Sequence, residues 1–142
     1  MTSRGYLLDT NVVSETRRRA PHIGVMAFLR SISSSRAFLS VITVGELRRG
    51  VAAKQTSDPA AALPLQAWVD ELQVHYVDQL LPVDLAVAQR WGELTSPGAV
   101  PVVDALIAAT ALEHDLTVVT RNVKDFQRFG VALVDPWATT ST

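Results

Sequence analysis

Tyr6-Leu7-Leu8-Asp9-Thr10-Asn11 is the stretch on which the fold turns. Three apolar residues run straight into three small polar ones, the mark of a short buried strand handing over to a helix start. The pattern recurs down the chain. Ala37 to Ile42 is a second apolar run of strand length, and Thr43 is placed to cap a helix running to about Lys54. Leu116 to Thr120 is a strand rich in β-branched residues, followed by Asn122 as cap of a short helix through Phe129. Leu80–Val83 and Val131–Val134 are shorter strands, the last stopped by Asp135-Pro136. Helical spacing fills the intervals. Arg17 to Pro21 is a break, and His22 to Ile32 a helix. Asp58-Pro59 caps and opens an Ala-rich helix to about Tyr76, with Pro64 as a candidate break inside it. Asp84 caps a helix to Leu94. After the turn Ser96-Pro97-Gly98, Pro101 starts another to about His114.

Strands alternating with helices predict an α/β fold in three layers, a mostly parallel central sheet with helices on both faces. The strands are continuously apolar rather than alternating, as in a sheet buried on both sides. In such sheets ligands lie outside the carboxyl ends of the strands.

The chain has 142 residues, 48% apolar and 19% charged, which predicts one folded domain over residues 1–142, with 138–142 as a flexible tail. There are no cysteines, which excludes disulfide frameworks, Cys-ligated zinc, iron–sulfur clusters and thiol catalysis. Asp9 and Glu15 interrupt any leader-like apolar core, and no apolar run approaches the roughly 18–20 residues of a membrane span. A cytoplasmic protein with no membrane contact is expected. The net charge of −1 hides an asymmetry: residues 1–54 carry nine Lys/Arg against three acids, a local +6. A basic half suits an anionic partner such as nucleic acid, and equally describes solvated surface arginines.

The strand-end rule selects the acids. Asp9 follows the first strand directly, Glu46 follows the second by four residues, Asp104 lies in the first turn after Pro101, and Asn122 and Asp125 follow the Leu116–Thr120 strand. Thr10, Asn11, Ser40, Thr43 and Thr120 surround them. Each acid has an ordinary structural reading. Asp9 can cap a helix, Thr43-Val44-Gly45-Glu46 is a capping box, and Asp104 and Asp125 suit helix N-terminal dipoles at about 0.3–1 kcal/mol each. Together these readings weaken, because carboxylates gathered on one sheet edge repel one another and raise their pKa values unless a cation offsets the charge. The donor set is all oxygen, which suits Mg²⁺ or Mn²⁺ and argues against Zn²⁺ or Cu²⁺. A hard divalent ion in an acidic pocket beside a basic flank is the apparatus of phosphodiester hydrolysis.

Other chemistries lack their residues. Neither G-x-G-x-x-G nor a P-loop is present. His22, His75 and His114 lie far apart without a G-x-S-x-G elbow. Trp68, Trp91 and Trp137 read as packing anchors rather than a base-stacking platform, since no basic residues interleave with them in sequence. A phosphatase using an Asp nucleophile after strand one needs a second Asp two residues on, where Asn11 stands.

Four segments in order carry a family likeness: Leu7-Leu8-Asp9-Thr10-Asn11-Val12, Ser40 to Leu47, Val103-Asp104-Ala105-Leu106-Ile107-Ala108-Ala109-Thr110-Ala111, and Val119-Thr120-Arg121-Asn122-Val123-Lys124-Asp125-Phe126. From about residue 6 to the closing Asp135-Pro136-Trp137, the chain resembles the PIN-domain ribonucleases of the VapC/FitB type, toxins of type II toxin–antitoxin pairs. The resemblance implies a PIN fold and a Mg²⁺- or Mn²⁺-dependent endoribonuclease that cuts a tRNA or other structured RNA and so stops translation. It implies a homodimer or dimer of dimers, and a VapB/FitA-like antitoxin through which alone the complex meets DNA. It makes Asp9, Glu46 and Asp104 catalytic acids and metal ligands. Members carry a fourth acid at the place of Asn122 or three residues later; here Asn122 is neutral and Asp125 acidic. Thr10, Asn11, Thr120 and Asn122 match pocket-lining positions. Arg48, Arg49 and Lys54, on the helix after Glu46, are candidates to hold the RNA backbone, with a solvated helix face as the alternative. A PIN scaffold that binds antitoxin or RNA without cutting is the competing function.

Overall fold

The structure is a computed structural model and describes residues 4–96, 98 and 100–138. Its sheet has strands β1 (Gly5–Leu8), β2 (Ala37–Ser40), β3 (Leu80–Leu81), β4 (Leu116–Val119) and β5 (Leu133–Val134). They lie in the order β3-β2-β1-β4-β5, every neighbouring pair parallel. The helices are α1 (Thr10–Glu15), α2 (Ile23–Ser31), α3 (Val41–Ser57), α4 (Pro59–His75), α5 (Leu85–Thr95), α6 (Val102–His114) and α7 (Val123–Gln127).

Strand periodicity distributes the core. Leu7 and Val118 point into one apolar cluster, which they share with Ala105, Ile107 and Ala108 of α6 and Phe126 of α7. Leu8 and Val119, one residue on, point into the other, with Val12 of α1, Val25 of α2, Leu47 of α3 and Val69 of α4. Both faces of the sheet are therefore covered, which is why its strands carry no polar alternation. Ile107 and Phe126 are fully buried, and truncating such side chains to alanine costs about 2–5 kcal/mol. The expected three-layer α/β architecture is the one observed.

Local boundaries differ from the sequence expectation where a side chain intervenes. The second strand stops at Ser40 rather than Ile42, because the Ser40 hydroxyl oxygen accepts the Ile42 amide at 3.0 Å and starts α3 at once. Thr43 is therefore not the cap. It is fully buried inside α3, and its hydroxyl has no hydrogen-bond partner among the described residues. The capping-box reading of Glu46 falls with it. Helix α3 runs on to Ser57, and α4 passes through Pro64 without ending. The expected caps Asp58 and Asp84 accept the amides of Ala61 and Val87. Strands β3 and β5 are two residues each, shorter than expected. The turn residue Pro97 and the tail from 139 onward lie outside the described residues. Among the described residues no helix is long and apolar enough to cross a membrane.

Candidate active site

From β1 the sheet grows through β2 to β3 on one side, and through β4 to β5 on the other. The carboxyl ends of β1 and β4 thus flank the point where strand order reverses, the place where open α/β sheets bind ligands. Asp9 is the first residue beyond β1. Its amide donates to the Val119 carbonyl at 2.9 Å, finishing the β1–β4 ladder, and its side chain caps α1. Asp9 Oδ1 accepts the Thr10 amide at 2.9 Å. Asp9 Oδ2 accepts the Thr120 hydroxyl at 2.8 Å and the Asn11 side-chain amide at 3.3 Å. Thr120 in turn accepts the Asn122 amide at 3.0 Å, and the Asn11 carbonyl oxygen accepts the Arg121 amide at 3.3 Å. The ends of β1 and β4 are laced into one rigid edge.

Glu46 reaches this edge from the first turns of α3, half-buried, and accepts a short hydrogen bond from the Thr10 hydroxyl. Asp104, in the first turn of α6, is half-buried too. Burial, then the charges of Asp9, Asp125 and Glu46, push its pKa up to about 6, with Arg128 pulling weakly the other way. Asp9 is also held above the ordinary aspartate value, by burial first and by Glu46 in part, against the hydrogen bonds from Thr120, Thr10 and Asn11. Asp104 therefore feels the charge of three other acids, and Asp9 that of Glu46. Asp125 is exposed at the rim. Asn122 occupies the N-cap position of α7, but its side chain caps nothing.

Among the described residues no three acidic or histidine side chains stand close enough to grip one ion unaided. The set is all carboxylate and hydroxyl oxygen.

The three basic residues of α3 separate. Arg48 donates to Gln73, with Nε to Oε1 at 2.9 Å, and pairs with Asp70 at 2.6 Å, so its guanidinium ties α3 to α4. Arg49 and Lys54 are exposed. Two of the tryptophans expected as packing anchors are covered by arginines instead. Arg17, just past α1, lies over the ring of Trp68 on α4, 6.0 Å from its centroid. Arg121 covers Trp137 likewise at 5.2 Å. The basic–aromatic interleaving absent from the sequence is made by the fold. The only sequence signal was the Arg17-Arg18-Arg19 run.

The model of the PIN domain matches residues 6–132. The chain belongs to the PIN-domain family. Among PIN relatives, Toxin FitB of Neisseria gonorrhoeae is 37% identical over 136 residues, covering 92% of this chain and 97% of that one. VapC ribonuclease Y4jK of Sinorhizobium fredii is 32% identical over 136 residues, covering 92% and 96%. A solved structure of FitAB bound to an IR36 DNA fragment includes a chain 32% identical to this one, with a TM-score of 0.73 and coverage of 96% and 98%.

Proposed function

We propose that the chain is a Mg²⁺- or Mn²⁺-dependent endoribonuclease, the toxin of a type II toxin–antitoxin pair. The observation that carries the reading is Asp104. Burial first, and then the charges of Asp9, Asp125 and Glu46, hold its pKa up at about 6, with only Arg128 acting against them. Such a cluster fits a hard divalent cation, which offsets the repulsion. Mg²⁺ keeps several waters and takes one or two carboxylates plus substrate phosphates, so two acids of the cluster suffice as its protein ligands. Asp9 and Asp104 would hold it, with Glu46 and Asp125 alongside. When bound, the ion supplies Lewis acidity toward the phosphodiester and lowers the pKa of water.

The chain's own residues do the positioning. Thr120, Thr10 and Asn11 fix the Asp9 carboxylate by three hydrogen bonds, so one orientation is ready before substrate arrives. The Thr10 hydroxyl holds Glu46 by one oxygen, and the other accepts no hydrogen bond among the described residues. Asp104, with its raised proton affinity, can keep or release a proton near neutral pH. Hydrolysis by water predicts a 5′-phosphate and a 3′-hydroxyl, and a 2′,3′-cyclic phosphate would overturn it. The relatives' names, a toxin and a VapC ribonuclease, support RNA as substrate and a VapB/FitA-like antitoxin as partner. The FitAB–DNA structure supports contact with DNA through that partner, and a homodimer or dimer of dimers completes the proposal. A tRNA or other structured RNA is the proposed target, cytoplasm the proposed location, and Arg49 and Lys54 the proposed backbone contacts.

The test is cleavage of a mixed structured-RNA pool by antitoxin-free protein with Mg²⁺, Mn²⁺ or EDTA, alongside Asp9→Asn and Asp104→Asn. Metal-dependent cutting lost in both variants is expected. Folded protein that neither cuts nor binds metal would leave a non-catalytic scaffold.

A further inference from the structure

Beside the acids lies a cavity that no catalytic role uses. It has a volume of about 320 Å³ in the seam between α3 and α4, and opens on Thr10 and Glu46. Its walls are Leu47, Leu65 and the indole of Trp68, with Arg17 and Arg18 at the mouth. Both arginines are exposed, Arg18 holding Glu15 at 3.4 Å. A second cavity, beside His75 and Tyr76, shares no residue with the acidic site and has no arginine at its mouth.

Resting on the ribonuclease reading, we propose that this cavity takes one unstacked nucleobase of the RNA, next to the phosphodiester that is cut. Three observations converge on that occupant. The shared walls Thr10 and Glu46 place it within one residue of the acids. An aromatic face with aliphatic walls suits a flat, sequence-variable ring, which stacks on any aromatic side chain. The cationic mouth suits the phosphates on either side of the base and draws an otherwise acidic edge toward a polyanion. The volume is at the small end of the roughly 300–1,000 Å³ of ligand pockets. That is room for one ring system, not for a helix about 10 Å across. On entry the base replaces Arg17 over Trp68, and Arg17 turns to a phosphate. A base held beside the reacting bond makes the cavity a determinant of cut-site choice.

Gly50 gives a clean test. It lines the cavity from an exposed helical position, and a Cβ added there meets nothing within 4 Å. Gly50→Leu therefore fills the cavity without removing a core contact. Trp68→Ala and Trp68→Phe complete the set. Binding of a random-sequence single-stranded oligoribonucleotide pool is measured in EDTA, and cut sites of the same pool are sequenced with Mn²⁺. Wild type is expected to bind the pool and to favour certain bases at one position flanking the cut. Gly50→Leu and Trp68→Ala should weaken binding and cleavage on the order of 10- to 100-fold, the size of one base–aromatic stack, and flatten that preference. Trp68→Phe should keep both. Arg17→Gln should lower the salt dependence of binding by about one phosphate contact. Unchanged affinity and cut sites in Gly50→Leu overturn the proposal. So does a loss confined to antitoxin binding, which makes the cavity a protein anchor. Cavity-dependent binding without any cutting supports the cavity and sinks the ribonuclease reading. Cutting that ignores Gly50→Leu does the reverse.

Discussion

Helix α1 carries a carboxylate at each end, Asp9 as its cap and Glu15 as its last residue, and both are only 5% exposed. Burial alone would treat them alike, yet their proton affinities move in opposite directions. Glu15 accepts the His22 amide at 2.8 Å, its main support, and Arg18 lies at 3.4 Å. Its pKa falls below the ordinary glutamate value. At Asp9 burial outweighs the three hydrogen bonds it accepts, and its charged neighbour is another acid where Glu15 has Arg18. Its pKa rises. One carboxylate has its charge answered inside the fold, and the other is left for something outside it. The difference separates a structural acid from a site acid without reference to any family.

The largest break in this pairing should come from Asp9→Asn. RNA cleavage with Mg²⁺ or Mn²⁺ is expected to fall by at least about 100-fold while the fold survives, since Asn keeps one acceptor oxygen for the cap and the Thr120 hydroxyl can accept from the new NH₂. Glu15→Gln should do the opposite, keeping cleavage within about threefold, because charge at that end of α1 serves the fold alone. Equal losses in the two variants would erase the distinction.

A smaller effect is expected from Thr120→Val. It keeps the shape and removes the donor to Asp9, whose proton affinity then rises further. Cleavage should drop by about tenfold at neutral pH, and the acid limb of its pH profile should move to higher pH. An unmoved limb would mean that the hydroxyl does not govern Asp9.

Melting experiments should show the smallest differences. Asp104 has its pKa raised from 3.8 to about 6, so its ionised form costs stability, fully above pH 6 and not at all below pH 3.8. Without metal, Asp104→Asn should melt a few degrees above wild type at pH 7.5, and the gap should close as pH falls toward 4. Added Mg²⁺ or Mn²⁺ should raise the wild-type melting temperature and close the gap from the other side. Glu15, with its pKa lowered from 4.5, stabilises above that value and loses the effect as pH falls through its folded pKa. Glu15→Gln should therefore melt below wild type at neutral pH and converge with it in acid. A Glu15→Gln deficit that does not shrink at all as pH falls from neutral into acid would refute the charge argument.

Much of this was legible in the residues. The handover at Leu8–Asp9 gave the strand end, and Asp58-Pro59 and Asp84 gave helix starts, because each signal is complete within a few residues. The acids were picked out by the rule that ligands lie outside the carboxyl ends of strands. What failed was decided by contacts across the chain. Ser40 and Thr43 are both good caps, and only the depth of α3 against the sheet selects Ser40 and buries Thr43. Arg48 looks like its neighbour Arg49 until α4 brings Asp70 and Gln73 against it. Trp68 and Arg17 belong to segments with no common pattern, so their pairing exists only in three dimensions.

The hydrogen bond from Thr120 to Asp9 joins residues 111 positions apart. Asp104 and Asp125 come equally late in the chain. During synthesis from the N-terminus, Asp9, Thr10 and Glu46 leave the ribosome long before their partners exist. The nascent chain holds an incomplete edge for most of its synthesis, and β1, central in the finished sheet, waits for β4. An acidic edge assembled this way is complete only when the last third of the chain has been made. The order of the strands works as a delay.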